Sequence, residues 1–192
     1  MSAELVVIGG SWGGFDALCE LLSPFPADTP VPIVVALHRS PRSQDGQLER
    51  MLAASLALPV TVVEDKSPLH AGSVHVAPAD YHLLIEDGSL ALSTDAMVQF
   101  SRPSIDMLFE SAADQYESGV VAVVLTGANR DGAVGVSRVK ANGGATMAQD
   151  PGSAARPQMP QAAIDTGHVD FVGTIPRLAE RLGALIGVEV HA

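Results

Sequence analysis

The stretch Leu5–Phe15, LVVIGGSWGGF, limits the possible folds more than any other part of the chain. Leu5-Val6-Val7-Ile8 has the length and β-branched content of a buried strand. Four glycines around Ser11 and Trp12 follow, and then Phe15, Ala17, Leu18, Leu21 and Leu22 fall at helical spacing. The Gly9-x-Ser11-x-Gly13 triplet therefore sits where a strand turns into a helix. In a nucleophile elbow, small neighbours let the serine adopt a strained turn that lifts its hydroxyl above the sheet. The N-terminal amides of the next helix then face a developing oxyanion.

The rest of the chain extends this β-α rhythm. Residues 32–37 read as a second buried strand ending at His38, 44–58 as a helix, and 60–63 as a third strand. Segments 73–78, 81–85 and 90–92, with the Asp87-Gly88 turn signal, predict a small antiparallel excursion around residues 73–92. Ser104 reads as the N-cap of a helix to Tyr116. Val120–Leu125 is the most strand-like run and stops before Asp131-Gly132. A helix to about Asn142, a short strand at 144–148, and helices at 160–166 and 176–186 complete the chain. The expected fold is a single α/β domain over residues 1–192, a doubly wound, mainly parallel sheet with helices on both faces.

Composition narrows the function classes. A net charge of −11 disfavours nucleic acid and anionic membrane surfaces, which both need basic clusters. No apolar run approaches a membrane span. The one cysteine, Cys19, excludes an internal disulfide and reads as a core thiol in a reducing compartment, so a cytoplasmic protein is expected. No histidine pair has metal-site spacing, and neither metal nor cofactor is expected. His75 and His82 alternate with apolar residues and are expected to reach solvent or a polar rim. His70 and His191 read as surface residues and His168 as a loop residue.

In a parallel sheet, ligands gather at the carboxyl ends of the strands. Ser11, His38 and Asp131 all lie at such ends, and can serve as nucleophile, general base and base-orienting carboxylate. Each also has a plain structural role open to it: N-cap, loop residue, or turn former. Arg102 stands before a helix, where it can hold a carboxylate or pair with Asp106. Met159 can form a substrate rim or plain packing. A nucleotide site fits poorly, because Gly9-Gly10-x-x-Gly13-Gly14 lacks G-x-G-x-x-G spacing and the second strand ends in His38 rather than an acid.

IGGSWGG at 8–14, His38, VHVAPADYHL at 74–83, SRPSIDMLFESAA at 101–113, VVLTGANRDGAVG at 123–135 and QMPQAAI at 158–164 together resemble the catalytic domain of the CheB-type protein-glutamate methylesterases. The resemblance runs from about Val6 to about Ile186. It implies a serine hydrolase that removes methyl groups from glutamate γ-methyl esters on chemoreceptor helices, releasing methanol, with glutamine deamidation as a related activity. It implies a triad of Ser11, His38 and Asp131; beside that triad the Trp12 amide is the expected oxyanion donor by analogy with other elbows, and Gly10, Ala128, Arg102 and Met159 are the further expected oxyanion and pocket residues. Family members usually carry a small hydroxyl residue where this chain has Trp12, and Met-Gly in the segment that is here Ala128-Asn129-Arg130. Trp12 is expected to narrow the pocket and Arg130 to compete for Asp131; a closed pocket would leave a regulatory or interaction module on the same fold. Family members that act in chemotaxis usually carry an N-terminal receiver domain; with Met1 only a few residues before the first strand, the expectation is either constitutive activity or control by a separate partner such as a response-regulator protein.

Overall fold

The computed structural model describes residues 3–40 and 46–190. The sequence expectations at Gln44 and His191 lie outside the described residues. The chain forms β1 (Leu5–Gly10), α1 (Gly14–Leu22), β2 (Ile33–Leu37), α2 (Gln47–Ser55), β3 (Val60–Val62), β4 (Ser67–Pro68), β5 (Val74–Val76), β6 (His82–Glu86) and β7 (Ser89–Ser93). It continues through α3 (Ile105–Tyr116), β8 (Val120–Val124), α4 (Ala133–Ala141), β9 (Ala145–Gln149), α5 (Gln158–Ile164), β10 (Phe171–Gly173) and α6 (Ile175–Ile186).

Seven strands pair in the order β10-β9-β8-β1-β2-β5-β3, all in parallel. β1 lies between β2 and β8, and its side chains alternate between the two faces. Val6 and Ile8 pack with Leu18 and Leu21 of α1, Leu52 of α2 and Leu178 of α6. Leu5 and Val7 pack with Leu108 and Phe109 of α3, Val136 of α4 and Ala163 of α5. A strand buried on both faces must be apolar throughout, which is why 5–8 reads as an unbroken hydrophobic run rather than an alternating one.

The antiparallel excursion is a separate three-stranded sheet, β4-β7-β6. Its hairpin turns at Asp87 and Gly88, with φ of 47° and 72°, the left-handed pair expected of an Asp-Gly turn. β5 does not belong to it: this strand joins the main sheet in parallel between β2 and β3. Ser73–Pro78 and β6 look alike as short apolar runs, and only their partners distinguish them. β10 was not legible, because Phe171-Val172-Gly173 is a three-residue edge strand. Among the described residues, no helix is long and apolar enough to cross a membrane.

Candidate active site

Parallel register brings three loops to one edge of the sheet. Gly10 pairs with Leu37, so Ser11 and His38 are the next residues on adjacent strands; the His38 amide donates to the Gly10 carbonyl at 3.0 Å. On the other flank the Ser11 amide donates to the Thr126 carbonyl at 2.9 Å, just after β8 and before the loop carrying Asp131. Ser11, His38, Phe15, Leu48 and Met51 line a cavity of about 220 Å³.

The turn at Ser11 differs in one respect from the expected elbow. The left-handed residue is Gly13, with φ 76°, and Ser11 is not among the positive-φ residues. Strain is thus confined to a residue without a Cβ, where it costs little. The Ser11 hydroxyl, and the Trp12 and Gly13 amides at the start of α1, have no hydrogen-bond partner among the described residues.

Asp131 is completely buried and fully coordinated. Its Oδ2 accepts from His38 Nε2 at 2.7 Å and the Ile105 amide at 2.8 Å. Its Oδ1 accepts from the Asp106 amide at 2.9 Å and the Ser104 hydroxyl at 3.0 Å. The carboxylate therefore sits on the N-terminus of α3, where free amides and the helix dipole favour an anion. Burial alone would raise its pKa. The His38 hydrogen bond and the two amides outweigh burial and hold the carboxyl below its ordinary value.

The approach of α3 to β1 is close enough to exclude a side chain at Gly9. A Cβ there would lie 2.3 Å from Ile105 Cγ2. Asp106, one residue further along, returns the contact. Its Oδ1 accepts from the Gly132 and Gly135 amides, each at 2.8 Å. Asp131 thus caps α3, and Asp106 caps α4. Burial, opposed by those amides and reinforced by the charge of Asp131, pushes Asp106 up to about 6.

Because Asp131 accepts, His38 Nε2 carries the proton, and Nδ1 is the free base nitrogen. In this structure Nδ1 accepts from the Ser101 hydroxyl at 3.2 Å, and Ser11 forms no hydrogen bond to it. Ser101 was not identified from sequence, since a serine before Arg-Pro carries no signal of its own. His82 was expected at a polar rim but is fully buried. Its Nδ1 accepts the Ser104 amide at 3.1 Å, and its Nε2 donates to the Ala96 carbonyl at 3.2 Å, so two backbone partners replace the water it loses. His75 is buried too; it is held by Thr61 and the His70 amide, and desolvation lowers its pKa.

The remaining pocket residues divide. Arg102 does not meet Asp106: Nε and Nη2 both bind Asp80 Oδ1, at 3.0 and 2.7 Å, and Nη1 binds the Thr94 and Asp95 carbonyls. Met159 is buried packing against Gly127 rather than a rim residue. Gly10 is buried, and Ala128 is exposed. Trp12 is 66% exposed beneath the Arg156 guanidinium and is not part of the cavity lining, so it does not close the pocket. Arg130 is exposed and leaves Asp131 to His38. Among the described residues, no group of three or more metal-ligating side chains is placed to hold an ion.

Comparison with known proteins is consistent with this geometry. A family model described as CheB methylesterase matches residues 6–182. A Leptospira interrogans relative, provisionally named protein-glutamate methylesterase/protein-glutamine glutaminase, is 42% identical and spans 94% of this chain and 93% of its own. An Anaeromyxobacter dehalogenans protein of the same name, numbered 2, is 40% identical over 95% of this chain but only 53% of its own length. The crystal structure of the Thermotoga maritima CheB methylesterase catalytic domain superposes with a TM-score of 0.89 at 33% identity, covering 96% of this chain and all of that one.

Proposed function

Since the chain belongs to the CheB methylesterase family, we propose that it is a carboxylic-ester hydrolase acting on protein glutamate γ-methyl esters through Ser11, His38 and Asp131. The observation that carries this reading is the buried carboxylate holding Nε2–H of a strand-end histidine beside an unpartnered serine hydroxyl.

In the first step Ser11 Oγ attacks the ester carbonyl carbon and its proton passes to His38 Nδ1. Asp131 stabilises the resulting imidazolium and keeps the ring in the required tautomer. The Trp12 and Gly13 amides are the candidate oxyanion donors. Collapse breaks the C–O bond to the methoxy group, which leaves as methanol with the proton from His38. Water, deprotonated by His38, then cleaves the acyl-serine to give free glutamate; with a glutamine substrate the leaving group is ammonia.

The proposed partners are methylated chemoreceptor helices and, for control, a separate response-regulator protein; the proposed location is the cytoplasm. Residues 1–192 act in this reading as one catalytic domain, with no role for nucleic acid.

Ser101 supports a second assignment, because its hydroxyl, not that of Ser11, sits on the base nitrogen. Methanol release from methylated receptor membranes separates the two. Ser11→Ala is expected to abolish release while Ser101→Ala retains it. The reverse pattern would make Ser101 the nucleophile, and no release from folded wild type would end the esterase reading.

A further inference from the structure

The connection from β7 to α3 carries an expensive feature that nothing else in the chain explains. Val98 and Ser101 pair as an isolated antiparallel bridge, with backbone hydrogen bonds of 3.2 and 2.9 Å. The two residues at its tip, Gln99 and Phe100, have φ of 50° and 62°. This left-handed pair suits Asn-Gly, not a glutamine and an aromatic residue. Phe100 is 98% exposed, so the strained backbone holds a phenyl ring entirely in water. Met97 beside it is 50% exposed.

The tip adjoins the chemistry. Arg102 fastens its base through Asp80, Thr94 and Asp95. Ser101, next to Phe100, touches His38. Phe100, Met97, Ser101 and His38 share a small depression of about 100 Å³. The exposed arginines Arg130 and Arg156 lie in the Asp131 loop and above Trp12. Neither has an ion-pair partner among the described residues, in a chain of net charge −11.

We propose that Phe100, with Met97 and the exposed Arg130 and Arg156 near the triad, is the docking anchor that selects an acidic amphipathic helix carrying the reacting ester. This rests on the methylesterase reading and adds what that reading leaves open, namely which residues recognise the protein around the ester. An exposed aromatic at the mouth of a site is characteristic of an interface hot spot. Exposed cations in the Asp131 loop and above Trp12 complement the carboxylates of an acidic helix and speed encounter. The depression itself is too small to hold a helix, so the ring would insert between the helix's side chains.

The test compares methylated receptor membranes with p-nitrophenyl acetate, using the whole protein and Phe100→Ser and Phe100→Gly variants. Glycine suits positive φ, so Phe100→Gly is expected to keep or raise the Tm and excludes unfolding as the cause of any loss. Both variants are expected to raise KM for the receptor at least tenfold, and the loss of kcat/KM on receptor should exceed that on the small ester by the same factor. Receptor KM should also rise with salt, less steeply in Arg130→Gln. Equal losses on both substrates, or a receptor KM within twofold of wild type, would overturn the inference alone. Wild-type protein that cleaves the small ester but releases no methanol would overturn the methylesterase reading and this inference with it.

Discussion

Asp106→Asn is expected to stabilise the protein near neutral pH, which is unusual for a substitution at a buried, hydrogen-bonded carboxylate. Both capping hydrogen bonds, from Gly132 and Gly135, go to the same oxygen, Oδ1. The carbonyl of an asparagine can accept both. What asparagine removes is a second negative charge buried beside Asp131. Of the two carboxylates, Asp131 keeps its charge, because four donors including the imidazole face it; Asp106 has two amides and takes the proton more readily. Moving the Asp106 carboxyl from 3.8 to about 6 corresponds to about 3 kcal/mol at 1.36 kcal/mol per pH unit. Relaxation and imperfect placement of the new amide reduce this. A gain of about 1–3 kcal/mol at pH 8, or roughly 3–10 °C in Tm, is expected for a chain this size.

The pH dependence provides the sharper test. A folded-state pKa above the unfolded value means that the native protein binds the Asp106 proton more tightly. Its stabilising contribution is complete below the unfolded value and is lost as pH rises through about 6. Wild type should therefore close the gap on Asp106→Asn as pH falls from about 8 to about 4.5, a window in which Asp131 stays ionised. Chemical denaturation of both proteins across that window measures the difference directly. A gap that stays constant with pH, or an asparagine variant less stable at every pH, would refute the argument.

Two further substitutions probe the same junction. Asp131→Asn should lose about 10⁴ in kcat, as the equivalent change does in serine-protease triads, because the amide cannot hold the same tautomer. It should also lose about 2–4 kcal/mol, since both Asp131 oxygens face donors and an NH2 in either position meets an N–H or O–H; activity above a tenth of wild type in a methanol assay would contradict this. Gly9→Ala should cost about 1–3 kcal/mol or more by overpacking against Ile105, 2.3 Å from the new Cβ. Esterase activity should fall with stability, because Ile105 moves with the amides that hold Asp131; a thermal melt and a small-ester assay test both.

The sequence by itself determined what local chemistry and periodicity can encode. The unbroken apolar run of β1 marked a strand covered on both faces. The Asp87-Gly88 pair marked a left-handed turn, and Ser104 marked the start of α3, where its hydroxyl accepts the Met107 amide. Strand ends marked Ser11, His38 and Asp131. Recognition of the separated motifs added the family.

Decisions involving residues distant in the chain came only with the tertiary structure. β5 and β6 are similar short runs, and only the neighbour available to each edge put one in the parallel sheet and the other in the hairpin. His75 and His82 looked half-exposed because alternation describes one strand's faces and not the backbone amides waiting on the far side. Arg102 went to Asp80 rather than Asp106, because Asp106 already faced the amides of α4. Trp12 turned outward and Met159 inward for the same kind of reason. A side chain takes the partner that packing presents to it, and packing unites residues tens of positions apart whose relation leaves no periodic trace in the sequence.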